Sequence, residues 1–183
     1  MTYRLRVLYN LGGYLAAACL SLICLLITAQ ILGRVIDRIA VASGADRIGL
    51  AIPGLSEISG FLLVGASFLG LAYTFIHGGH IRVTLLIGRL PAAIRVWVEV
   101  FCLGVALVLC VYLAWNLYVL LADSIAFNET SYGLLRIPLW IPQTAMLAGV
   151  GLFCLALLES LTHTLITAIR SPQLFIADDS GHE

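Results

Sequence analysis

Four apolar stretches, each bracketed by charged residues, decide what this 183-residue chain can become. They run from Leu11 to Leu32, Ile58 to Ile76, Val100 to Leu121 and Ile137 to Leu158, and none contains an Asp, Glu, Lys or Arg. About 20 helical residues at about 1.5 Å rise cross the roughly 30 Å hydrocarbon core of a bilayer. A chain that is 61% hydrophobic and only 11% charged lies outside the usual range of soluble domains. The expectation is an all-α integral membrane protein of a single domain. Its four transmembrane helices fall at about 11–33, 57–76, 97–121 and 137–159, with a short interfacial amphipathic helix at about 80–90 and a disordered acidic tail at 171–183.

The first apolar run follows Arg4 and Arg6 as a signal peptide would. It is longer than an h-region of about 7–15 residues, so it reads as an uncleaved span. Four spans put both termini on one side, together with Arg82, Arg89, Arg95 and Arg170, while Arg34, Arg38, Arg47 and Arg136 fall on the other. The excess favours cytoplasmic termini under the positive-inside rule. Trp97 and Trp140 fall at opposite predicted interfaces, whereas Trp115, Tyr112, Asn116 and Tyr118 lie deeper and are expected to face protein. Beyond the first span, Arg34, Asp37 and Arg38 have helical pairing distances, and Ser43-Gly44 is expected to end that helix.

Little in the chain promises chemistry. A membrane haem needs two histidines facing each other at depth. Here His77 and His80 end the second span, His163 follows the fourth, and His182 is in the tail. No nucleophile–base set, Walker sequence or Gly-rich phosphate loop is present, so no enzyme, catalytic residue, metal site or cofactor is expected. The five cysteines all sit inside apolar runs without C-x-x-C spacing, which reads as small hydrophobes in a bundle rather than a disulfide framework. Zero net charge gives no sign of a nucleic-acid partner.

Structural devices are clearer. Glu57 opens the second span, where it favours the positive end of the helix dipole, with Ser56 as a candidate N-cap and Arg34 as a candidate ion-pair partner. Gly12 and Ala16, Ala66 and Gly70, and Ala145 and Gly149 are small residues four apart, a spacing that lets helices approach closely in lipid. Gly60, Gly65 and Gly70 recur every five residues and spiral round the second span, as if it were packed on several sides. After it, Gly78-Gly79 supplies a turn, and His80 to Leu90 reads as an interfacial helix with Arg82 and Arg89 towards lipid phosphates. Pro91 then ends it.

Glu57, Gly65-Ala66, His80-Ile81-Arg82-Val83, Leu90-Pro91 and the Ile137-Pro138…Ile141-Pro142 entry to the fourth span together resemble the small membrane subunit of tripartite ATP-independent periplasmic (TRAP) transporters, the DctQ type. The likeness covers essentially the whole chain. Ser56 stands where the family often has a second acid, and Thr84 where it often has Asp, so no role of those acids carries over. The resemblance implies sodium-coupled uptake of an organic acid such as a dicarboxylate or sialic acid, across a bacterial inner membrane. A periplasmic binding protein would deliver the substrate to a large permease subunit that holds the sodium and substrate sites. This chain would add static scaffold against membrane lipid, with Glu57, His80, Arg82, Arg89, Arg34 and Gly70 as structural or assembly residues. On a bacterial reading the Asn128-Glu129-Thr130 glycosylation triplet is accidental. Two other readings stay open: a membrane anchor of a respiratory complex, and the small subunit of a tripartite tricarboxylate transporter.

Overall fold

The computed structural model describes residues 5–44, 46, 49, 52–78 and 92–170. Four helices account for nearly all of them: α1 (Arg6–Ala42), α2 (Leu55–Ile76), α3 (Ala92–Ala126) and α4 (Trp140–Arg170). Each contains a segment long and apolar enough to cross a membrane. The chain is an all-α, four-span membrane protein. The expected interfacial helix at about 80–90, with His80, Arg82 and Arg89, and the tail at 171–183 lie outside the described residues.

Three helices are longer than a bilayer requires. The 37 residues of α1 extend over about 55 Å at about 1.5 Å per residue. Its distal end stops where the sequence predicts: Ser43 caps it, its hydroxyl donating to the Ala40 carbonyl at 2.8 Å, and Gly44 follows at φ +81°. Beyond it, Gly49 and Ile52 are tied back to α1. The Ile52 N–H donates to Gln30 Oε1 at 2.8 Å and the Gly49 N–H to Asp37 Oδ1 at 3.2 Å. The fourth helix begins at Trp140, after Pro138 has bridged to Thr130 in the preceding loop, and Pro142 occupies its first turn, where a missing N–H costs nothing.

The packing order is α1–α2–α4–α3. α1 lies along α2, α2 along α4 and α4 along α3; α1 touches α4 only lightly, and among the described residues no substantial contact closes α3 onto α1 or α2. The sequence reading pictured a bundle. The described residues instead form an open row whose two broad faces stay uncovered. Phe101, Val108, Tyr112 and Trp115 form one such exposed strip on α3.

Small residues set the spacing of the row. A Cβ on Gly12 would stand 2.8 Å from the Leu69 carbonyl oxygen, and Ala16 lies 3.5 Å from the equivalent point on Gly70. On the other side of α2, a Cβ on Gly149 would collide with the backbone of Phe68. A Cβ on Gly65 would stand 3.9 Å from both Cys19 of α1 and Ala145 of α4, so α2 is gripped from two sides. All three small pairs seen in the sequence thus fall at helix contacts. Between α3 and α4 the contact is a longer apolar seam. Leu103, Leu107, Cys110, Ala114 and Leu117 of α3 meet Met146, Val150, Phe153, Cys154 and Leu157 of α4. The near-heptad spacing on both helices is that of an antiparallel coiled pair.

Gly149 and Gly104 provide a matched test, because nothing lies within 4 Å of a Cβ on Gly104. Gly149→Ala forces α2 and α4 apart and is expected to cost about 1–3 kcal/mol as an overpacking change. Gly104→Ala should be neutral or slightly stabilising, since Ala is the better helix former by about 1 kcal/mol. Thermal unfolding of the purified variants in detergent measures both; equal effects would mean that the close approach at Gly149 is not formed.

Candidate functional site

Polar side chains inside the described row gather at its two ends. At the end away from the termini, α2 starts on Gly54, whose φ of +70° is the left-handed conformation that glycine adopts without strain. Gly54, not Ser56, is the N-cap, because the chain must turn sharply to pass beneath the α3–α4 loop: the Leu135 side chain packs against the Gly54 Cα. Glu57 sits in the first helical turn, and its Oε2 accepts the Leu135 N–H at 3.3 Å. The carboxylate also lies so close to Gly133 that no side chain fits at that position. Among the described residues Glu57 forms no ion pair with Arg34, which is exposed on α1. The backbone amide of the loop takes the place expected for the guanidinium.

The loop that Glu57 holds is itself tightly wired. The Ser131 hydroxyl donates to the Leu135 carbonyl at 3.0 Å and accepts the Gly133 N–H at 3.3 Å. The Leu139 N–H donates to the Glu129 carbonyl at 3.0 Å and the Ser131 N–H to the Ile137 carbonyl at 2.9 Å. Beneath it, Gln143 Nε2 donates to Ser124 Oγ at 2.8 Å, and Ser124 donates on to Glu129 Oε2 at 2.8 Å. Ser124 is fully buried and Glu129 exposed, so this relay ties α3, the loop and α4 together from the packed interior out to the surface. Phe127, Tyr132 and Leu134 project outward from the same rigid loop.

At the end carrying the termini, the fully buried Tyr9 of α1 donates its hydroxyl to Glu159 Oε2 of α4 at 3.1 Å. Tyr9 packs with Ala72 and Ala156, the point at which α1, α2 and α4 converge. His77 caps the exit of α2, its Nδ1 2.9 Å from the Tyr73 carbonyl and its ring 4.1 Å from the Tyr73 ring, and Gly78 turns the chain at φ +76°. His77 is exposed, and among the described residues no cluster of three or more His, Cys, Asp or Glu side chains could hold a metal.

Of the six residues singled out from sequence, the structure places three and leaves His80, Arg82 and Arg89 outside its described range. Glu57 clamps the far loop, Gly70 faces Ala16 in the α1–α2 contact, and Arg34 stands free of Glu57 on α1. Sequence reasoning missed Tyr9, Glu159, Ser124, Glu129 and Gln143. Gln143 carried a signal, as an amide in the first turn of an otherwise apolar span. The arrangement offers no reacting constellation among these groups; what it does is fix two helix ends and one loop.

If the Glu57 carboxylate holds the loop, Glu57→Ala should accelerate hydrogen exchange at the Leu135 amide about tenfold or more, the ratio set by losing one charge-assisted hydrogen bond. Exchange at mid-span amides of α2 should be unchanged. An unaltered Leu135 amide would show that the loop is held by its internal bonds alone.

No curated protein and no solved structure matches the chain. A family model described as tripartite ATP-independent periplasmic transporters, DctQ component, matches residues 23–167. That range takes in the distal half of α1, the whole of α2 and α3, the loop held by Glu57, and α4 almost to its end. With most of its length so matched and four membrane-crossing helices in place, the chain belongs to the DctQ family, the small permease component of TRAP transporters.

Proposed function

We propose that this subunit is a static scaffold element of a sodium-coupled organic-acid importer in a bacterial inner membrane. The row is too thin to enclose a path: its helices pack one beside the next, and the exposed strip of Phe101, Val108, Tyr112 and Trp115 has no covering element within the described residues. That uncovered surface is the observation that carries the reading. A large permease subunit lies against the row and holds the substrate and sodium sites, and a periplasmic binding protein delivers a carboxylate such as a dicarboxylate or sialic acid. Both termini are cytoplasmic, so the Glu57-clamped loop with Phe127, Tyr132 and Leu134 is on the periplasmic side, where the binding protein docks. Arg82 and Arg89 seat the connection between α2 and α3 at the inner lipid interface, and His80 and Arg34 serve assembly.

Reconstitution in proteoliposomes with a sodium gradient tests the reading. The chain alone should support no uptake, and uptake should appear only when the large permease and a loaded binding protein are added. Arg82→Glu should lower recovery of the assembled complex while leaving the order of substrate preference unchanged. Uptake by the isolated chain, or an altered substrate order in the Arg82 variant, would place the transport site in this subunit and overturn the proposal.

A further inference from the structure

Two of the five cysteines meet. Cys110 of α3 and Cys154 of α4 stand with their Sγ atoms 2.9 Å apart, the Cys154 S–H directed at Cys110, and the Cys110 S–H reaches the Val150 carbonyl at 3.8 Å. Both are free thiols. The sulfurs are within about 1 Å of the length of a disulfide bond. They are also held there: Leu117, Val150 and Leu157 are buried in the same seam, so the antiparallel register of α3 and α4 keeps the thiols opposed. Within the membrane-crossing segments Val96–Ala126 and Trp140–Ile166, each cysteine lies about halfway along, at the depth furthest from water.

We propose that Cys110 and Cys154 form an oxidisable dithiol, a modification site at which an apolar hydroperoxide of the surrounding bilayer links α3 to α4 through a disulfide. The step balances with the peroxide as the two-electron oxidant. Sulfur of Cys154, the less buried of the two, attacks the terminal peroxide oxygen. The O–O bond breaks and the thiol proton leaves with the alcohol, giving a sulfenic acid. Cys110 then displaces the sulfenic oxygen: the S–O bond breaks, the S–S bond forms, and the second proton leaves with the hydroxyl as water. Two thiols and one hydroperoxide become one disulfide, one alcohol and one water. The site selects its reagent by depth, because polar oxidants and reductants of the aqueous phase do not dissolve in the bilayer core. For the same reason the link, once made, persists and pins the α3–α4 hairpin at its centre.

Met146 packs in the same seam and supplies an internal gauge of reagent arrival, since its sulfoxide forms under the same conditions. The full-length chain in lipid nanodiscs is treated with cumene hydroperoxide, the dose raised until Met146 sulfoxide appears, and peptides are mapped without reduction. The expected result is a Cys110–Cys154 linked peptide as the major form of both residues, lost in Cys110→Ser and in Cys154→Ser. Oxidised glutathione, a polar reagent, should give none. Thiols at Cys110 and Cys154 still free for alkylation once Met146 is oxidised would overturn the proposal. So would cross-links that pair Cys19, Cys24 or Cys102 as readily.

Discussion

Everything in this molecule hangs on how closely two helices can approach α2. In hydrocarbon, burying an apolar side chain against another gains nothing over leaving it in lipid, so spans adhere through contact itself. Each atom pair contributes only about 0.1–0.2 kcal/mol, and a separation of half an ångström forfeits a large part of it. Gly12 against the Leu69 carbonyl and Gly149 against the Phe68 backbone bring whole helix surfaces within that range. The two contacts fall at neighbouring residues of α2, so α1 and α4 grip it at one level. Their own edges meet there as well, where Leu152 comes near Gly12, and nearer the termini Tyr9 reaches Glu159.

Polar groups complete the row where dispersion alone would leave it loose. The Glu57–Leu135 bond and the Gln143–Ser124–Glu129 relay close one end, and Tyr9–Glu159 joins α1 to α4 at the other. Between them the α3–α4 seam is apolar except for its two thiols. Hydrogen bonds at the ends fix which residues sit opposite one another, and the small-residue contacts fix how far apart the helices lie. A row held in this way suits the unmoving part of a transporter, and its broad uncovered faces suit a larger partner.

The parts that were legible in the sequence are those encoded locally. A span is a run of apolar residues, a close contact is a pair of small residues four apart, and the end of α1 is Ser43-Gly44; each can be read within one helix. Glu57 was conspicuous for the same reason, but its partner was not. That partner is the Leu135 N–H, 78 positions away, and a backbone amide leaves no mark on residue identity. An arginine was the natural expectation for a carboxylate, and Ser56 for a cap, yet the crowding of Leu135 on Gly54 moved the start of α2 and brought the loop amide to the acid. Tyr9–Glu159 and Cys110–Cys154 were hidden likewise, since pairing them requires the register of separate helices. Periodicity also cannot tell an open row from a closed bundle, because it says which face is apolar and not which neighbour covers it.

The row itself is open to direct measurement. Spin labels at Leu15 of α1 and Leu113 of α3, both exposed, in a chain with its native cysteines replaced by serine, report the separation of the two outermost helices by pulsed electron paramagnetic resonance in lipid nanodiscs. At about 8–10 Å per helix neighbour, the order α1–α2–α4–α3 places these backbones about 20 Å or more apart. A distribution centred well beyond that of adjacent helices is the predicted result. A single short distance, of about 10–14 Å as in a closed bundle of four, would contradict the open row and the account built on it.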